Sequence, residues 1–258
     1  MKPDQALGEL VAAAAARGAL TEGTAPPADL TAGINVSYFL FRRWIAFAAL
    51  GMPALLWLAS LWTVGPTGCL PLVPQPALSN YYHCPGGWLG DVFVGSLCVM
   101  GFALFCYKGY TVIEDRVLDL AAISAVLVGL APMAPRGWPD RALPRWFPEP
   151  LTDINGFTIG LHGIAALVLF LAVGYVCIFQ SRTTLALLND EAAKRNYWRA
   201  YLVLGIAMVA LPVTVVLIHL VGAWSNSRVV FFVEYAGVAV FAVYWLVKSR
   251  EIAQILRQ

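Results

Sequence analysis

The sequence predicts an all-α fold, a polytopic transmembrane helical bundle of about six spans with both termini cytoplasmic. Three observations carry this reading. The chain is 60% hydrophobic and only 12% charged, with a mean hydropathy of +0.71. It holds six apolar stretches of membrane-spanning length, and its Lys and Arg residues are sorted to one side of those stretches.

The composition is richer in apolar residues than a soluble core can cover. A length of 258 residues suits one compact bundle. The sequence divides into a cytoplasmic N-terminal segment, residues 1–33, and a six-span domain, residues 34–258. The first segment reads as an Ala-rich helical stretch, 4–17, followed by the Gly/Thr/Pro lead-in Thr21–Ala32. A net charge of +2, with no basic cluster interleaved with aromatics, argues against a nucleic-acid partner.

A hydrocarbon core about 30 Å thick asks for roughly 20 apolar residues per helix. The stretches that meet this are 44–64, 88–107, 118–135, 157–179, 200–222 and 229–247. The first follows the Arg42–Arg43 pair and reads as an uncleaved anchor rather than a signal peptide. Thirteen Lys and Arg fall on one side, among them Arg42, Arg43, Lys108, Arg182, Lys194, Arg195 and Lys248. Four, Arg136, Arg141, Arg145 and Arg228, fall on the other. The richer side is cytoplasmic by the positive-inside rule.

Cys98, Cys106 and Cys177 lie inside expected spans, where a thiol behaves as a small apolar group. Cys69 and Cys84 share the first outer loop. A bridge there suits an oxidising compartment and requires Cα atoms within about 7 Å.

The chain's three histidines fall at one level once sidedness is fixed. His83 immediately precedes the second span at its outer end, and His162 and His219 lie within roughly 5–8 Å of the outer boundary at 1.5 Å rise per residue. Asp91 and Glu234 join them, also at outer helix ends. Ionisable groups inside hydrocarbon cost several kcal/mol unless paired or solvated, so each is a candidate site residue. The competing readings are structural: the histidines as interfacial residues or interhelical hydrogen-bonding partners, and Asp91 as a carboxylate favoured by a helix N-terminus.

Three neutral imidazoles would hold a zinc ion with one position open, where water becomes a nucleophile near neutral pH. In this reading His83, His162 and His219 are the metal ligands. A carboxylate, Asp91 or Glu234, takes the proton, and the Ser79 hydroxyl stabilises a developing oxyanion. An alternative uses His162 and His219 as axial ligands of a b-type haem.

The strings Ser79-Asn80-Tyr81-Tyr82-His83, Asp91-Val92-Phe93-Val94-Gly95 and Tyr107-Lys108-Gly109-Tyr110 resemble a pattern in bacterial multi-span proteins of the DUF998 kind. Ser79, His83 and Asp91 also resemble the motif of the CREST superfamily of membrane hydrolases, the alkaline ceramidases and progestin/adiponectin-receptor proteins. That resemblance implies a zinc site acting on lipid amides. The chain departs from it in span number, in lacking a His-x-x-x-His pair, and in facing its histidines outward. The resulting expectation is a zinc-dependent hydrolase of the bacterial cytoplasmic (inner) membrane, acting on a lipid-like amide or ester from the outer leaflet. The alternative from another class is a non-enzymatic accessory or ligand-sensing bundle.

Overall fold

The computed structural model describes residues 28–62, 69, 73–84, 87–131, 152–154, 157–220 and 228–258, excluding the side chains of 28–39, 62, 152–154, 157–159 and 219. The chain divides into two units, Met1–Phe41 and Arg42–Gln258, of which the second carries the features below.

The helices are α1 (Ala28–Ala59), α2 (Trp88–Cys106), α3 (Val112–Leu130), α4 (Leu161–Tyr175), a single turn α5 (Arg182–Leu185), α6 (Glu191–Leu220) and α7 (Val229–Ile255). Five segments are long and apolar enough to cross a membrane: Leu40–Ala59, Trp88–Cys106, Leu161–Leu185, Glu191–Ile218 and Val229–Ile255. The protein is thus a helical chain with the makings of an integral membrane protein.

The expected third span, 118–135, is met by a helix that starts earlier, at Val112. Thr111 sets that start: its hydroxyl accepts from the Glu114 backbone N–H at 3.0 Å, satisfying a donor that the first turn leaves open. Glu114, Asp115, Arg116 and Asp119 then load the helix with charge, which explains why α3 stands outside the apolar five. Its buried residues are mostly small, including Ala121, Ala122, Ala125 and Gly129, and let it pack closely along α2 and α4.

Another correction concerns residues 157–159, expected to open the fourth span. They form the second strand of a short antiparallel hairpin, Thr152–Ile154 (β1) with Phe157–Ile159 (β2), in which Thr152 pairs with Ile159 and Ile154 with Phe157. Asn155-Gly156 between the strands is the dipeptide that most favours a two-residue hairpin turn. The helix therefore begins only at Leu161.

Successive long helices pack together: α2 with α3, α3 with α4, α4 with α6 across the single turn α5, and α6 with α7. At the α4–α6 crossing a Cβ added to Gly205 would lie 2.4 Å from Ile178 Cγ1 and 3.1 Å from the Gly174 carbonyl oxygen. Gly205→Val is expected to cost about 1–3 kcal/mol by overpacking. The check is thermal unfolding in detergent, with Gly51→Val, where an added Cβ meets nothing within 4 Å, as the tolerated control.

After α4 the helix widens into a π-helical segment, Val176–Gln180, closed by the Ser181 N–H donating to the Val176 carbonyl at 3.0 Å. Such wide turns recur at functional sites because they re-aim the residues that follow. Here those residues are Ser181 and Thr184. The alternation of direction along the hairpins leaves the bundle with two distinct ends, one marked by a disulfide and one by buried ions.

Candidate functional site

At the disulfide end, a 3-10 helix, Leu78–His83, seats on α2 and α7. Three features hold it. The Glu234 carboxylate on α7 accepts from the Leu78 N–H at 2.7 Å, capping an otherwise open donor. The Phe231 N–H donates to the Pro76 carbonyl at 3.0 Å. Cys84, next to His83, is bonded to Cys69 with Cα atoms 5.7 Å apart, inside the expected reach. Close seating on α2 requires Gly90, where a Cβ would stand 2.8 Å from the Tyr82 carbonyl oxygen.

This helix buries Ser79 and His83. The Ser79 hydroxyl has no hydrogen-bond partner among the described residues. His162, partly buried in the first turn of α4, places Nδ1 at 3.0 Å from both the Val128 and Ala131 carbonyls at the end of α3. Carbonyls only accept, so Nδ1 carries the proton and Nε2 keeps the lone pair. His83 lies within electrostatic range of His162.

Ser79, His83, His162 and Glu234 thus share the disulfide end. Asp91 sits in the first turn of α2 but is exposed, and its contribution to a closed site is confined to the rim. The His219 side chain lies outside the described residues. No group of three His, Cys, Asp or Glu gathers closely enough to hold a metal ion among the described residues. The donor chemistry nonetheless suits one at His162, since a ligating imidazole characteristically gives its other N–H to a backbone carbonyl.

The opposite end holds a constellation that sequence reasoning missed. Lys248 and Glu251 on α7, Arg42 on α1 and Glu114 on α3 are all within 1% of complete burial. Lys248 Nζ lies 3.0 Å from Glu251 Oε2 and also donates to Thr184 Oγ1. Thr184 Oγ1 in turn lies 2.5 Å from Glu251 Oε1, and the Tyr201 hydroxyl donates to Glu251 Oε2. Every oxygen of Glu251 is thereby met by a donor. The Ser181 hydroxyl reaches Tyr244 at 3.2 Å, tying the widened turn after α4 to α7.

Arg42 donates to the Tyr107 hydroxyl at 3.4 Å, and its guanidinium carbon lies 5.1 Å from the Tyr107 ring centroid and 5.5 Å from that of Trp245. Faces of electron-rich rings offset part of the cost of desolvating that cation. The loop between α2 and α3 is pinned by carboxylates: Gly109 N–H donates to Asp115 Oδ1 at 2.6 Å and Tyr110 N–H to Glu114 Oε2 at 2.9 Å. Glu114 Oε1 is left without a hydrogen-bond partner among the described residues. Partial burial pushes the Tyr110 phenol above its ordinary value, and the neighbouring Arg42 works against that shift.

Two cations and two carboxylates therefore close on one another where four elements meet. Removing one partner from such a set leaves a charge that neither water nor another side chain can meet. The sequence held one usable signal, Lys248 and Glu251 three residues apart on a helix. Read only as topology markers, Arg42 and Lys248 gave no hint that they face inward.

No protein-family model, curated protein or solved structure matches this chain.

Proposed function

We propose that this chain is an integral protein of the bacterial cytoplasmic membrane in which α3 is a sixth span and both termini lie on the cytoplasmic side. Its disulfide end then faces outward and carries a hydrolytic site for a lipid-like amide or ester entering from the outer leaflet. The likeness of Ser79, His83 and Asp91 to the DUF998 and CREST patterns belongs to this proposal.

The observation that carries the reading is the buried, unpartnered Ser79 hydroxyl in the same short helix as His83. Leaving a hydroxyl buried and unbonded costs about 1–3 kcal/mol, which makes it a group waiting to bond to something that binds. His162 spends its Nδ1–H on two carbonyls, which leaves Nε2 as the nitrogen that would ligate a metal. Zinc held by His83, His162 and His219 would supply a Lewis acid that activates water near neutral pH. Glu234 positions the helix that bears Ser79 and His83, and Asp91, exposed in the first turn of α2, is the carboxylate at the rim of the site.

A second reading, an accessory or ligand-sensing bundle, draws on the buried ion network, because such a set of charges is a ready two-state element. Metal analysis and an absorption spectrum on purified full-length protein separate the two. The hydrolase reading expects about one zinc per chain, falling at least tenfold in His83→Ala and in His162→Ala while both variants keep their gel-filtration profile. A Soret band would instead assign His162 and His219 to haem b. Protein with neither zinc nor haem would leave the sensing bundle.

A further inference from the structure

We infer that the end of the bundle bearing the buried ions carries a binding site for the headgroup of an anionic phospholipid, in the cleft between α5 and the first turns of α6. The cleft has a volume of about 460 Å³ and is lined by Arg182, Leu185, Ala186, Lys194, Arg195 and Trp198. That volume lies within the range of about 300–1,000 Å³ typical of small-ligand clefts. It is separate from the histidines of the disulfide end, and it is a second site beyond the proposed hydrolytic one.

Depth in the membrane follows from the helices that form the walls. Arg182 and Leu185 close the apolar segment Leu161–Leu185, and Lys194, Arg195 and Trp198 open the segment Glu191–Ile218. Both walls are therefore at the boundary where hydrocarbon gives way to headgroups. Trp198 is 38% exposed, as a ring at that boundary should be.

Charge selects the occupant. Lys194 is matched by Glu191 at 2.7 Å. Arg182 and Arg195 have no ion-pair partner among the described residues, so two guanidinium groups border a cleft whose lining also includes Leu185 and Ala186. Arg182 is also held with its guanidinium carbon 5.6 Å from the Trp198 ring centroid. That contact fixes the planar group without consuming its hydrogen bonds to a phosphate. Apolar lining beside two guanidiniums, one of them held against Trp198, fits a phosphodiester with acyl chains attached, and on the topology proposed above, on which this inference rests, the side concerned is cytoplasmic, where anionic lipids pair with basic clefts.

The test uses the full-length protein in a nonionic detergent, titrated with phosphatidylglycerol or phosphatidylcholine of equal chain length and read by native mass spectrometry. The first phosphatidylglycerol adduct should be favoured over phosphatidylcholine, and Arg182→Gln/Arg195→Gln should weaken it about tenfold or more. Arg116→Gln, which removes an exposed charge outside the cleft, should leave it unchanged. Equal retention of both lipids, or an adduct as strong in the double variant as in wild type, overturns the proposal. So does glycerol phosphate displacing the lipid at equal concentration, since the site would then belong to a soluble anion. Gel filtration of the double variant guards against misfolding, and if that variant fails to fold, Arg195→Lys/Arg182→Lys supplies the comparison: loss of the preference for phosphatidylglycerol on keeping charge but not the planar fork supports the site, and its full retention overturns the role given to the guanidiniums.

Discussion

Lys248→Met is expected to destabilise the protein by about 3–5 kcal/mol, the largest single effect of any substitution considered. The reason lies in what the lysine leaves behind. Its ammonium contacts Glu251, Thr184 and the Ser181 carbonyl, and Lys248 and Glu251 are both fully buried. Without it the Glu251 carboxylate retains only the Thr184 and Tyr201 hydroxyls as donors, and its charge has no counterion within bonding distance. Adding Glu251→Gln to Lys248→Met should recover most of the loss, because the amide keeps hydrogen-bonding partners and removes the stranded charge. Thermal unfolding followed by fluorescence-detected gel filtration reads the single variant as a fall of about 10 °C. The argument fails if the double variant is no more stable than the single, since the pair would then not be coupled through charge.

This network also shows what a sequence hides. Hydropathy located five of the apolar helices because spanning a membrane demands a length of apolar residues that any reading along the chain can see. The pairing of Cys69 with Cys84 was legible for a similar reason: two cysteines in one loop are held near each other by the chain itself. Arg42, Glu114, Lys248 and Glu251 converge only after three helices have turned back on one another, and no spacing in the sequence encodes that meeting. Arg42 and Lys248 flank apolar runs, where a sequence places charges routinely and for topology alone.

The misplaced boundaries have local causes that were readable. Thr111 with Glu114 three residues on is the signature of a helix start, and it outranks the apolar run that begins at Val117. Asn155-Gly156 is a dipeptide whose turn preference hydropathy alone overlooks, and the residues on either side of it pair as strands. At the disulfide end, His83, His162 and Glu234 were placed together by depth, since the outer ends of neighbouring spans come to one level, whereas Ser79 entered through its hydroxyl chemistry and the motif resemblance. Their roles were less visible. Glu234 caps a 3-10 helix and His162 holds the end of α3, contacts that depend on the loop path rather than on the helices.

Opening the Cys69–Cys84 bridge is the second large expected effect, a loss of about 3 kcal/mol for a closed loop of this length. The two cysteines are 15 residues apart, and the segment between them carries Ser79 and His83. Chain entropy released in the unfolded state is one part of the loss. The other is local: Cys84 ends the 3-10 helix, and without the bridge that helix keeps only the Glu234 cap, the Phe231 bond and its seat on Gly90. Cys69→Ser/Cys84→Ser should therefore lower the melting temperature by about 6–12 °C and, in the hydrolase reading, release zinc as well. Thiol titration in denaturant gives an independent count. With five cysteines in the chain and two bridged, unreduced protein should show three free thiols, Cys98, Cys106 and Cys177, and reduced protein five. Five thiols before reduction would show that the bridge does not form in the membrane, and the 3-10 helix would then have to be held by the Glu234 cap, the Phe231 bond and its seat on Gly90.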